Sequence, residues 1–158
     1  MIAGQPGAAG LGDPYFPEEG NGGYDVRHYD IELSADMEAQ LIDAVVTIEA
    51  TAVETLSALN LDFKQFAISE LLVNNEAAEF RHEDDELTVI PSGPLPKGED
   101  FTIQIAYSGK PRPSIDIGDG IPTGWFWADD AAFVVSEPFG AQTWYPVNDS
   151  PLDKAAYT

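Results

Sequence analysis

LIDAVVTIEATA, residues 41–52, decides the fold. Its even positions, Ile42, Ala44, Val46, Ile48, Ala50 and Ala52, are all apolar, and its odd positions include Asp43, Thr47, Glu49 and Thr51. Successive side chains of a strand point to opposite faces, so a period of two marks a strand with one buried face. The stretch before it repeats the pattern. In YDVRHYDIEL, from Tyr24, the residues Tyr29, Ile31 and Leu33 share one face and His28, Asp30 and Glu32 the other. Shorter strand signals follow at Leu59–Phe63, Ala67–Val73, Glu86–Ile90 and Phe101–Tyr107. Turn residues separate them: Asn74-Asn75, Pro91-Ser92-Gly93-Pro94 and Pro96-Lys97-Gly98. Short strands at this spacing, with no long helical pattern between them, predict an all-β sandwich.

Residues outside that frame have a different texture. Residues 1–23 are rich in Gly and Pro and read as a flexible tether, with Tyr15 and Phe16 expected to pin it to the domain formed by 24–158. KPRPSIDIGDGIPTG, residues 110–124, reads as a long loop. The segments GWFWADD, FVVSEPFG and QTWYPVND are dense in aromatics. Trp125, Phe126 and Trp127 cannot all face inward on one strand, so at least one should be exposed or covered by another domain. Ser150-Pro151-Leu152-Asp153 has the grammar of a helix start: an N-cap, a proline at the first helical position and an acid that completes a capping box.

Composition narrows the function. The chain has 158 residues, enough for one domain. Its 28 acidic residues against 7 basic ones give a formal charge of −21. Such a surface repels phosphate backbones and anionic membranes. No cysteine is present, which excludes disulfides, thiolate catalysis and thiolate-bound zinc. No apolar run approaches the roughly 20 residues of a membrane span. MIAGQPGAAG has neither a positive n-region nor an apolar h-region, so an intact signal peptide is not expected. An exported setting is expected over a cytoplasmic one. His28 and His82, the only histidines, lie far apart and outside any H-E-x-x-H pair, and read as surface residues. Asp116–Gly120 resembles part of a calcium loop but lacks the alternating ligands and distal glutamate of an EF-hand, and reads as a solvated turn.

One block carries positive information: VVSEPFGAQTWYPVNDSPLDKAAY, residues 134–157. It resembles the segment that closes the amino-terminal domain of aminopeptidase N-type (gluzincin) zinc metallopeptidases. The matching elements are Glu137, Gly140-Ala141, Trp144-Tyr145-Pro146, Asp149-Ser150-Pro151 and Asp153-Lys154-Ala155-Ala156-Tyr157. Tyr24-Asp25-Val26, His28-Tyr29-Asp30-Ile31, Leu59-Asn60-Leu61-Asp62 and Tyr107-Ser108-Gly109 match in order before it.

The resemblance implies a saddle-like antiparallel sandwich with a short helical turn near its C-terminal end, incomplete before its last strands. It implies no catalytic or metal-binding residue in this chain. Zinc and the catalytic base are expected in a downstream catalytic domain, the expected partner together with peptide N-termini. Glu137 falls at the family's position for a carboxylate that receives the substrate's α-ammonium group. Asp149, Pro151, Asp153, Lys154 and Tyr157 are expected to support it: the aspartates by accepting backbone N–H groups, Lys154 by pairing with one of them, and Tyr157, like Trp144, by packing. Val135 stands where many relatives carry glutamine, and Gln142 where many carry arginine. Two other readings stay open: a non-catalytic scaffold of the same family, and an unrelated acidic module that binds carbohydrate or calcium.

Overall fold

The computed structural model describes residues 4–64, 66–114 and 120–158. Most of the loop Asp116–Gly120 therefore lies outside the described residues.

The strands are β1 (Gln5–Pro6), β2 (Tyr24–Asp36), β3 (Leu41–Ala52), β4 (Leu56–Asp62), β5 (Ala67–Val73), β6 (Glu76–Ala77), β7 (Glu79–Glu83), β8 (Glu86–Ile90), β9 (Asp100–Gly109), β10 (Gly124–Trp127), β11 (Ala132–Val135) and β12 (Ala156–Tyr157). Among the described residues, one sheet runs β12-β2-β3-β9-β5-β6 and a second runs β1-β4-β8-β7. β10 and β11 form a separate hairpin. The principal pairs are antiparallel, while the two-residue strands β1 and β12 add parallel edges, against β4 and β2 respectively. The all-β sandwich read from the periodicity is the observed architecture.

All six even positions of β3 are buried. They meet the apolar face of β9: Ile48 stands opposite Ile103, Val46 opposite Ile105, Ala50 opposite Phe101. Leu71 and Val73 extend this face through β5, and Leu59, Leu61, Leu87 and Val89 close the core from the second sheet. Each fully buried Ile or Leu contributes about 1.5–3 kcal/mol.

β2 departs from simple alternation. Tyr24 and Val26 are buried at even positions, and Tyr29 at an odd one. A bulge between Val26 and His28 explains the change: the extra residue, Arg27, shifts the parity of the strand against β3. The Asn74-Asn75 turn sits where expected, with both residues at positive φ, which asparagine tolerates.

Residues 4–23 lie along the body of the domain rather than trailing from it. β1 pairs with β4, Gly7 N donates to Ala58 O, and Asn60 Nδ2 donates to Gly7 O. The reason lies in β4. Leu59 and Leu61 face the core, but Asn60 and Asp62 on the opposite face are buried too. Buried polar groups need partners, and the amino-terminal segment supplies them.

The helix start expected at Ser150 is instead a turn. Asp153 N donates to Ser150 O (3.1 Å), after which the chain extends into β12. Asp153 completes no capping box, because its carboxylate is used elsewhere: it accepts from Val26 N at 3.3 Å and from Asn148 Nδ2 at 2.6 Å. The one helical turn among the described residues is a 3-10 turn at Ala141–Thr143. No helix among them is long and apolar enough to cross a membrane.

Candidate functional site

The β10–β11 hairpin leads directly to Glu137. Trp125 pairs with Val134, and Phe126 with Phe133. Trp125 is buried, while Phe126 and Trp127 are half-buried, as three consecutive aromatics on a strand require. β11 is open to solvent at Phe133, Val134 and Val135, with Phe133 52% exposed and stacked on Phe126. The chain then turns tightly, with Gly140 N donating to Ser136 O at 2.7 Å. Glu137 sits on the outside of this turn, exposed, and makes no hydrogen bond or ion pair among the described residues. The Glu137–Pro138 peptide is cis.

The turn is held from behind. Thr143 Oγ1 donates to Gly140 O (2.7 Å) and accepts from Trp125 N (3.2 Å), which ties the turn to the hairpin. Gly124 makes this approach possible. Its φ is +106°, and a Cβ there would overlap the Thr143 side chain. A Cβ on Gly140 would in turn fall 2.5 Å from both Gly124 N and Val135 O. Phe139 packs edge-on against Phe16, with ring centroids 4.6 Å apart. Gln142 Nε2 donates to Glu19 Oε2 at 2.7 Å.

Behind the turn lies a buried polar cluster. Asp62 Oδ2 accepts from Asn21 Nδ2 (3.0 Å) and from Asp149 N (2.8 Å). Asn148 accepts from Asn21 N through its Oδ1 and donates through its Nδ2 to Asn21 O and Asp153. Its backbone N donates to the Tyr29 hydroxyl (3.0 Å). Burial pushes the Asp62 carboxyl up to about 7, with the nearby Glu19 carboxylate adding to it and the amide hydrogen bonds opposing it. Burial, then the charge of Asp62, pushes Asp149 and Glu86 up to about 8. Asp62 and Glu86 line a groove of about 570 Å³ together with Glu19, Lys64, Asp85 and Gln142.

The residues expected from the sequence to support Glu137 divide into two groups. Asp149 and Asp153 accept backbone N–H groups, from Gln142 at 3.4 Å and from Val26. Tyr157 stacks on Tyr29 at 5.1 Å while remaining 57% exposed. Pro151 is exposed within its turn. Lys154 is exposed and pairs with neither aspartate among the described residues; Asp153 is instead satisfied by Val26 and Asn148. Gln142 is buried and bonded to Glu19. Of Tyr15 and Phe16, Phe16 pins the amino-terminal segment, while Tyr15 is 85% exposed. No local sequence motif marks Asp62, Asn21, Asn148 and Thr143 as a group. The available signal was Asn60 and Asp62 alternating with two leucines on one strand.

Both histidines are engaged. His28 Nε2 is 2.8 Å from Thr158 Oγ1, and His82 Nε2 is 2.7 Å from Phe63 O. They lie on β2 and β7, in different sheets. Among the described residues, no group of three His, Asp or Glu side chains is placed to hold a metal ion.

The family model described as the peptidase M1 N-terminal domain matches residues 26–158. The chain is 30% identical to an M1 zinc metallopeptidase from Deinococcus radiodurans, with a TM-score of 0.85 over 94% of this chain and 34% of that one. It is also 30% identical to a two-domain M1 zinc metallopeptidase variant bound to L-arginine, with a TM-score of 0.86 and the same coverages. Yeast LTA4 hydrolase in complex with bestatin shares the fold at 20% identity and a TM-score of 0.65, over 85% of this chain and 22% of that one. The chain spans about a third of the length of the first two structures. No curated protein matches it. The two similar metallopeptidases are zinc enzymes by description. Among the described residues the donor set does not fit a zinc ion, because the two histidines are separated and already bonded.

Proposed function

The chain belongs to the peptidase M1 N-terminal domain family, and from that membership we propose that it forms one wall of the active site of a zinc aminopeptidase, with Glu137 receiving the free α-ammonium group of a peptide. The observation that carries the reading is the state of Glu137: an exposed, unpaired carboxylate on a turn braced from behind. A carboxylate on a mobile loop would lose affinity to the entropy of ordering it, and one already paired would have to break that pair first. Glu137 has neither handicap. Covered by a second domain, it would hold an ammonium by a charge-assisted hydrogen bond. It would thereby measure distance from the peptide's first residue and position the substrate without transferring a proton.

The hairpin supports the expected partner. Phe133, Val134 and Val135 are exposed immediately before Glu137. An apolar patch beside a functional group suits burial against a catalytic domain of the same chain. In this reading the zinc chemistry belongs to that domain, and this one positions the substrate.

The test is Glu137→Gln and Glu137→Ala in the zinc-loaded protein containing the catalytic domain. A hydrogen bond to a charged group is worth about 1.5–3 kcal/mol, so KM for a free-amine peptide should rise roughly 10- to 100-fold. Unchanged KM would favour the scaffold reading. Zinc content with robust hydrolysis of an aminoacyl-anilide by residues 1–158 alone would overturn the accessory role.

A further inference from the structure

The amino-terminal segment and the Glu137 turn are far apart in sequence and joined in space. Residues 11–19 form a closed loop. Leu11 N donates to Glu19 O (3.4 Å), Gly12 N to Pro17 O (3.1 Å) and Glu19 N to Phe16 O (3.3 Å). Asp13 Oδ1 accepts from Tyr15 N and Phe16 N, which fixes the backbone at Phe16. Two side chains reach out of this loop to the same short segment. Phe16 meets Phe139, two residues after Glu137, and Glu19 accepts from Gln142, five residues after it. Between these contacts lie Gly140 and its hydrogen bond to Ser136, the bond that closes the Glu137 turn.

We propose that Phe16 and Glu19 are positioning residues for the anchor: the loop 11–19 is a brace that fixes the Ser136–Thr143 segment and, through it, the Glu137 carboxylate. The proposal rests on the reading of Glu137 as the amine anchor. Without the brace, the buried Phe139 ring loses its aromatic partner and the buried Gln142 amide loses its acceptor. Both losses loosen the same turn. A displacement of about 1 Å in a positioning group costs far more in productive binding than in stability. The neutral Gln142 amide gives Glu19 one directional bond at 2.7 Å.

Two measurements test this, one on the turn and one on the substrate. In the 158-residue chain, amide hydrogen exchange at Gly140 reports the turn directly. Phe16→Ala should speed it roughly 3- to 10-fold, the weight of an aromatic pair, and Phe16→Leu should recover part of the protection. Glu19→Gln keeps an acceptor for Gln142 and should exchange like wild type. Glu19→Ala does not, and should exchange several-fold faster. In the zinc-loaded protein with its catalytic domain, Phe16→Ala and Glu19→Ala should raise KM for a free-amine peptide several-fold and leave kcat near wild type, with Glu19→Gln rescuing KM. Wild-type KM and wild-type Gly140 exchange in both alanine variants, with Glu137→Gln still impaired, would overturn the brace and spare the anchor. Faster Gly140 exchange with Glu137→Gln at wild-type KM would overturn the anchor, and with it any positioning role for Phe16 and Glu19. If Phe16→Ala does not fold, the Glu19→Ala and Glu19→Gln pair decides the matter.

Discussion

Replacing Asp62 with asparagine should remove a costly charge and keep the two hydrogen bonds to its Oδ2. One oxygen, Oδ2, accepts from both Asn21 Nδ2 and Asp149 N, and an asparagine oxygen can accept the same two bonds. Burial pushes the Asp62 carboxyl from 3.8 to about 7 in the folded chain. A raised carboxyl contributes stability that is present below the unfolded value near 4 and is lost as pH rises to about 7. One unit corresponds to about 1.36 kcal/mol, so about three units amount to about 4 kcal/mol at pH 8 and about 1.5 kcal/mol at pH 5. Asp62→Asn should therefore stabilise the chain by up to about 4 kcal/mol at pH 8, by about 1.5 kcal/mol at pH 5, and not at all near pH 3. Urea denaturation of both proteins at the three pH values measures this directly. An equal shift at every pH, or a loss at pH 8, would refute the buried-charge argument. The wild-type chain should itself lose stability between pH 5 and pH 8, because Asp149 and Glu86 are raised by the same causes.

Other consequences are simpler to state. Gly124→Ala should cost about 2–4 kcal/mol by thermal or chemical denaturation, since it combines positive φ with overlap onto Thr143. Phe133→Ser should change the stability of the isolated domain by less than about 0.5 kcal/mol, because the ring is mostly exposed. In the protein with its catalytic domain, the same change should lower the cooperativity of unfolding between domains, as followed by calorimetry. With a formal charge of −21, sodium chloride should raise the melting temperature more at pH 8 than at pH 5, because protonation of the raised carboxyls and the histidines relieves part of the repulsion at the lower pH.

The sandwich was legible in the sequence because β3, β9 and β8 alternate strictly and one face of each is buried. Elements set by long-range contact were not. The bulge at Arg27 changes the parity of β2 without any local signal of Gly or Pro. The β10–β11 hairpin carries aromatics on both faces, so it has no period to read. β1 forms because Asn60 and Asp62 need a covering layer, a requirement written in β4 and not in residues 5–6. The candidate site divides the same way. Glu137 is a candidate only through the order of motifs from Glu137 to Tyr157. The cluster around Asp62 and Asn148 joins residues 41, 87 and 127 positions apart, and only the fold brings them together.

The central claim is that Glu137 reads a free α-ammonium group, and the most direct test is a binding ratio. Calorimetry on the zinc-loaded protein with its catalytic domain would compare L-tryptophan with its desamino analogue, indole-3-propionate. The account predicts that wild type favours the amino acid by roughly ten-fold or more and that Glu137→Gln abolishes most of this preference by weakening the amino acid alone. An unchanged preference in Glu137→Gln would contradict it.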